Sequence, residues 1–449
     1  MSFPKYPEYK ASRVEWLGDV PEHWQHRKIA WDVPYVVGWT PPSGKDEYYG
    51  GEHPWVTIAD MTKQTVVDTQ SKISDKAIAD RNAAIVPAGS MLFSFKLSVG
   101  KVAFLSIDSY TNEAIAAFLP NEKLDLKFWS YAAPEFIPRY GRENIYGATL
   151  LNQDLIASVR FFCPDIVEQT QIAHFLDHET AKIDTLIHEQ KRLIEMLIEK
   201  RQTVISHAVT RGLDPSVPTK SSGEAWLGEI PAHWELLASK RFLRLAADPA
   251  PKDNGLELLS VYTAIGVRPR KELEQKGNKA STTDGYWLVR RGDIIVNKLL
   301  AWMGAVGLSE YNGVTSPAYD ILRPTRPVSG KFFHYLFRSK LAQKEFKRWS
   351  RGIMDMRLRL YFDELGRILV PFPPLAEQKQ ISEYLDQIHN QFEELQAEAQ
   401  TLIDLLTERR SALISAAVTG KIDVRDWQSP ADKTDFSEEV RQASFEAET

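Results

Sequence analysis

The stretch "RSKLAQKEFKRWSRGIMDMRLR", residues 338–359, carries eight Lys or Arg side chains against two acids, with Trp349 among them. If it is helical, Lys344, Lys347, Arg348 and Arg351 stand at i, i+3, i+4 and i+7 and share one face. A row of cations of this kind suits phosphate contact, and Arg357 and Arg359 extend the surplus. A solvated charged face is the plain alternative. Base reading calls for other side chains, and two segments supply them: "GVRPRK" (266–271), with Arg268, Arg270 and Lys271, and "NKLLAW" (297–302), with Asn297 and Lys298. The N-terminal counterparts of these two segments are "SFKLSVGK" (94–101), with Lys96 and Lys101, and "GRENIYG" (141–147), while the stretch comparable to the basic one, "PEFIPRYGRENIYG" (134–147), offers only Arg139 and Arg142. Ordinary surface loops remain the alternative for all four.

Motifs for catalysis are missing. The chain has no G-x-x-x-x-G-K-[ST], no H-E-x-x-H and no G-x-S-x-G. "PFPPL" (371–375) lacks the Asp or Asn that an amino-methyltransferase motif places before Pro-Pro; it is expected to end a domain and start a helix. Asp125-x-Lys127 and Glu377-x-Lys379 are the only nuclease-like fragments noted, and charged residues at that spacing arise easily by chance. The ten histidines show no ligand spacing, and His178 and His188 read as solvated. The single cysteine, Cys163, excludes an internal disulfide and a Cys-rich zinc site, and is expected to pack as a small hydrophobe. Binding is favoured over chemistry.

The distribution of charge agrees. A net charge of −5 conceals residues 235–370 with 24 basic against 14 acidic side chains, and residues 371–449 with 7 against 16. The matching segment 25–160 is balanced, 14 against 15. No apolar run is long enough to span a membrane, and "MSFPKYPEYK" has no signal-peptide core, so a cytoplasmic protein is expected.

What must position these residues is a duplication. "EWLGDVPEHW" (15–24) returns as "AWLGEIPAHW" (225–234), six positions being identical. "PDIVEQTQIAHFLD" (164–177) returns as "PPLAEQKQISEYLD" (373–386), and "LIEMLIEKRQTVISHAVTRGLD" (193–214) as "LIDLLTERRSALISAAVTGKID" (402–423). A weaker echo joins 87–103 to 290–307, with Gly89/Gly292 and Gly100/Gly304 in step. In the first helical segment Leu176, Ile183 and Leu197 fall on a heptad seam; in the second, Leu385, Phe392 and Leu406 do. These six are the candidate partner-binding residues. Asp165 and Glu168 make a capping box, and Gly212 and Gly420 are stop signals. At about 40 residues and 1.5 Å per residue, each helix runs to about 60 Å. Two such helices in one chain predict an intramolecular antiparallel coiled coil, as opposed to ordinary bundle helices.

The segments between read as mixed α/β. "SMLFSF", "KVAFL", "DIIVNK" and "ELLSVY" are strand-like, and 331–352 reads as one helix with Phe332, Tyr335, Leu336, Phe346 and Trp349 on one side. The fold class is therefore mixed α+β with an internal pseudo-two-fold repeat. Its parts are a lead-in motif (1–24), a globular domain (25–163), a helix (164–212), a second lead-in (213–234), a second domain (235–372), a second helix (373–424) and an acidic tail (425–449). Trp16 and Trp226 are expected to pack against a helix end as a structural join, with DNA stacking the sharper alternative.

The doubled lead-in, the doubled "EQxQI…LD" helix ending "ISxAVTxGxxD", and "GDIIV…WMGAVG" together resemble a type I restriction–modification specificity subunit, over nearly the whole chain. The resemblance implies two target recognition domains, each reading one half of a bipartite double-stranded DNA site. It implies helices that act as spacer and as platform for two modification subunits, with restriction/translocase subunits joining them. S-adenosylmethionine, ATP and Mg would belong to those partners, and this chain would hold no cofactor and catalyse nothing. Two other classes stand beside this one: a standalone DNA-modifying or DNA-cleaving enzyme with an unrecognised site, and a coiled-coil scaffold without a DNA role.

Overall fold

A computed structural model describes residues 3–96, 98–143, 147, 149–252, 254–272, 283–353 and 357–429. Its contacts fall into two compact units, one formed by 1–189 with the chain from 402 onward, the other by 190–401. The division cuts through both long helices, Ile166–Arg211 and Leu375–Val418. Each unit therefore holds the beginning of one helix and the end of the other.

In the first unit a five-stranded sheet runs in the order Tyr35–Val37, Ile115–Phe118, Met91–Ser94, Val102–Leu105, Thr65–Val66. Beside it lies a three-stranded sheet, Tyr110–Thr111, Tyr49–Val56 and Ser71–Ile73. The second unit has a four-stranded sheet, Leu243–Ala246, Tyr319–Pro324, Ile294–Asn297, Val306–Leu308. The weak echo between 87–103 and 290–307 is one hairpin written twice. Met91 pairs with Phe104 and Ile294 with Leu308, both antiparallel. Gly100 and Gly304, at φ +93° and +90°, turn each hairpin through a backbone region that side chains resist.

The two globular domains are closed by matching ladders. Gln25–Lys28 pairs antiparallel with Arg160–Cys163, and Glu235–Ala238 with Leu369–Phe372. Each domain thus leaves and re-enters the framework through two adjacent strands. Cys163 ends one of them, buried, and burial pushes its thiol up to about 12, so it packs as an apolar side chain.

The segment 331–352 is two helices, Gly330–Arg338 and Lys340–Trp349. Ser339 breaks them: its backbone is extended and its side chain accepts a hydrogen bond from the Ala342 amide at 3.2 Å. Phe332, Phe333, Leu336, Phe337 and Phe346 are buried in the second core. Trp427, assigned from sequence to the tail, packs on Phe175 and His178 of the first long helix, at ring distances of 5.4 and 5.2 Å. His178 is accordingly not a freely solvated side chain. The tail from 430 onward lies outside the described residues.

Candidate nucleic-acid interface

The long helices hold each globular domain through three side chains of the doubled "EQ…D" motif. The Glu secures the lead-in motif. Glu168 accepts from the Tyr6 hydroxyl (2.7 Å) and from Trp24 Nε1 (3.0 Å), and pairs with His23 (2.7 Å). Burial and the neighbouring carboxylate push the Tyr6 phenol above its ordinary range, which keeps it a donor. The second copy repeats the contact between His233 and Glu377 at 2.8 Å. The capping box forms by half only. Asp165 accepts from the Glu168 amide at 3.0 Å, while the Glu168 side chain turns to the lead-in motif.

The Gln secures the helix of the reader. Gln169 donates to the Pro164 carbonyl and accepts from the Asp125 amide, both at 2.9 Å. Gln378 donates to the Pro373 carbonyl and accepts from the Ser329 amide, again both at 2.9 Å. Asp125 and Ser329 are the N-caps of helices Leu126–Phe136 and Gly330–Arg338. The Asp completes the grip: Asp177 accepts from Tyr131 at 2.7 Å, and Asp386 from Tyr335 at 2.8 Å. Lys127 and Lys331 reach the same carboxylates. Asp125 and Lys127, weighed from sequence as a nuclease fragment, are thereby accounted for by structure, as is Glu377.

The lead-in motif also meets a helix end. A Cβ on Gly420 would collide with Pro21 and touch Trp24; one on Gly212 would stand 3.3 Å from Glu377 and 3.4 Å from Trp234. Both glycines have positive φ, +74° at Gly420 and +77° at Gly212. Trp24 and Trp234 are fully buried here. The tryptophans of the join are therefore these two. Trp16, expected there, instead packs edge-on against Phe136 of the reader helix with Arg139 stacked 4.7 Å over it.

The cations distribute unevenly. Lys344 and Lys347 are exposed on helix Lys340–Trp349, and Lys347 lies 5.0 Å over the Trp302 ring. Arg348 is held by buried Glu345 through bonds of 2.9 and 2.5 Å. Arg351 falls beyond the helix, in a two-residue bridge with Arg359, and pairs with buried Glu364. The four-residue cationic face is thus a correction: Lys344, Lys347 and Arg348 share the helix and Arg351 does not. Arg357 is exposed; the Arg359 guanidinium donates to the Leu358 carbonyl at 3.2 Å.

Among the candidate base readers, Asn297 is corrected too. It is buried, and its side-chain oxygen accepts from the amides of Leu299 (3.0 Å) and Leu300 (3.3 Å), shaping the turn. Lys298 donates to the Pro317 carbonyl at 2.7 Å and stands 3.5 Å from Asp320. Lys271 pairs with Glu257, and Arg268 donates to the Val267 carbonyl at 3.2 Å; Arg270 is half-buried beside them. In the first domain Lys96 is exposed over Phe95, Lys101 reaches the Ile58 carbonyl at 3.5 Å, and Arg139 bonds Glu135 at 2.8 Å. Arg142 is exposed in a hairpin with Leu150 opposite; residues 144–146 of "GRENIYG" lie outside the described residues.

Leu176, Ile183, Leu385 and Leu406 are buried within this chain, and Leu197 and Phe392 half-buried. The four buried side chains pack within the chain itself, so their assignment as surface for another chain is corrected. The residues that sequence reasoning passed over are exposed: Met196, Ile198 and Leu405 on the long helices, besides Leu186, Leu193, Leu395 and Leu402. No three His, Cys, Asp or Glu side chains are grouped to hold a metal among the described residues.

A family model described as "Type I restriction modification DNA specificity domain" matches residues 21–196 and 273–403, more than half of the chain. The chain belongs to the type I restriction–modification DNA specificity family. As a member of it, the chain is 22% identical over 429 residues to the type I restriction enzyme MjaVIII specificity subunit of Methanocaldococcus jannaschii, covering 91% of this chain and 95% of that one. Its fold is similar to that of a chain from a structural study of assembly and conformational transition in the type I R-M system (TM-score 0.65, 15% identity, 89% and 98% covered). It is similar also to the HsdS subunit of Thermoanaerobacter tengcongensis (TM-score 0.54, 16% identity, 89% and 98% covered).

Proposed function

We propose that this specificity-family chain is the DNA-recognition subunit of a type I restriction–modification complex, reading an asymmetric bipartite site with one domain per half-site. The observation that carries this is the doubled junction: Glu168/Glu377, Gln169/Gln378 and Asp177/Asp386 grip the two reader domains in the same way. Equal mounting of unequal readers is what a two-part asymmetric site requires. The domains are those bounded by 25–163 and 235–372. The two long helices pair antiparallel as a spacer between them. Two ion pairs support that pairing, Asp184–Arg410 in one unit and Arg201–Glu393 in the other, because one partner number rises as the other falls.

The chain itself catalyses nothing. Two modification subunits dock on it and bring S-adenosylmethionine and adenine methylation; restriction subunits bring ATP, Mg and translocation. The exposed apolar side chains of the long helices suit such docking. The exposed lysines of the second domain meet phosphates, which positions the protein without choosing a sequence. No described helix is long and apolar enough to cross a membrane. The test is reconstitution with a modification subunit. The complex should methylate adenines in an interrupted two-part motif and the chain alone should transfer no methyl groups. Methyl transfer by the chain alone, or methylation without a two-part motif, would contradict the reading.

A further inference from the structure

Arg338 counts toward the basic surplus of residues 338–359, yet its guanidinium does not face solvent. It donates to five backbone carbonyls: Tyr262 (3.3 Å), Thr263 (2.8 Å), Ala264 (2.7 Å), Gly304 (3.0 Å) and Val306 (3.0 Å). No carboxylate is bonded to it among the described residues. Burial brings the guanidinium down to about 10, still a cation at neutral pH. One turn earlier on the same helix, His334 accepts from the Leu308 amide at 3.2 Å; burial, then Arg338, pushes its imidazole down to about 3, so it is the neutral acceptor that this bond needs.

The carbonyls come from two separate pieces of chain. One is the turn of the hairpin Leu259–Tyr262/Gly266–Pro269; the other follows the short 3-10 turn Ala301–Met303 and opens strand Val306–Leu308. Each carries an exposed apolar residue at its tip, Ile265 on one and Met303 on the other. Lys347 stands over Trp302 on the same short turn, so this edge adjoins the exposed lysines. Nη1 serves Tyr262, Gly304 and Val306 and Nη2 serves Thr263 and Ala264, so the four N–H groups of the fork's two ends are shared among five carbonyls, and the two loops cannot drift apart without loosening those bonds. Among the described residues the first domain shows no equivalent clamp. Aligned by their N-caps Asp125 and Ser329, the two reader helices place Pro134 where Arg338 stands and Ser130 where His334 stands.

We infer that Arg338 is a positioning residue for DNA reading by the second domain, locking turn 262–266 to segment 304–306 so that Ile265 and Met303 form one edge presented to the second half-site. This rests on the reading that the chain recognises DNA and that this edge meets it. Arg338 touches no base; it acts through the loops.

The experiment uses the full chain assembled with its modification subunits and reads the adenine-methylation motif by sequencing DNA from cells carrying each variant. Arg338→Met should lower discrimination against mismatches in the second half-site about tenfold, leaving the first half-site and the spacer as they were. Arg338→Lys, which keeps the charge but has three donors for five carbonyls, should fall between, and it serves as the test if the Met variant does not assemble. Unchanged discrimination in an assembled variant overturns the inference, and so does equal loss at both half-sites, which a general weakening of the fold would give. Ile265→Ala and Met303→Ala separate the two ways of failing. If they alter the second half-site and Arg338→Met does not, the clamp is wrong. If neither alters it, the edge does not meet DNA and the reading beneath the inference fails.

Discussion

The two junctions use one design with different strength. In the first, Glu168 is nearly buried, its side chain 8% exposed, and takes Tyr6, His23 and Trp24. In the second, Glu377 is 25% exposed and takes His233, while Trp234 Nε1 is buried with no hydrogen-bond partner among the described residues. Ser216 stands where the first copy has Tyr6, and bonds Asp214 instead. The backbone frame was kept at both ends while side-chain satisfaction diverged. Duplicated geometry therefore does not imply duplicated stability, and the grip on each domain is local.

The largest expected effect comes from removing the buried indoles. Trp24→Ala and Trp234→Ala should each cost about 3–5 kcal/mol in chemical denaturation, with Trp24→Ala the worse because Glu168 also loses a donor. A cheaper Trp24→Ala would undo the ranking of the junctions. Next, Glu168→Ala strands the Tyr6 hydroxyl and Trp24 Nε1 and should cost about 2–4 kcal/mol. Glu377→Ala frees only the half-exposed His233 and should cost less than about 1 kcal/mol. Equal costs would mean that the burial difference is without consequence. The same contrast extends to DNA. Lys344→Ala should reduce the slope of log K against log salt by about one unit for any duplex, whereas Arg348→Ala should change it less, since Glu345 already holds that charge. The smallest effect is at the surface pairs of the long helices. Double-mutant cycles on Asp184–Arg410 and Arg201–Glu393 should each return about 0.2–1 kcal/mol.

The frame was legible in the sequence because its chemistry is local and written twice. Trp, Pro and Gly at fixed offsets marked the lead-in motif, and the stop glycines and the Asp165 half of the capping box were where their residue types said, while Glu168 went to the lead-in motif instead. The interface was less legible, because what a cation does depends on carboxylates and carbonyls brought from elsewhere. Counting charges along 338–359 could not show that Glu345 and Glu364 neutralise Arg348 and Arg351, nor that Arg338 turns inward. The helix break was in reach, since Ser339 before "KLAQ" is an N-cap signal, but the apolar periodicity on both sides ran through it. Asn297 was chosen for its side-chain chemistry, and the same chemistry bent its own turn instead.

The central claim is that each reader serves one half-site on its own mount. Exchange of residues 235–370 for the corresponding segment of a relative, followed by sequencing of adenine methylation directed by the assembled complex, tests it most directly. The account predicts a motif in which the second half-site takes the relative's sequence while the first half-site and the spacer length are unchanged. A motif altered in both halves, or one with a new spacer, would contradict it.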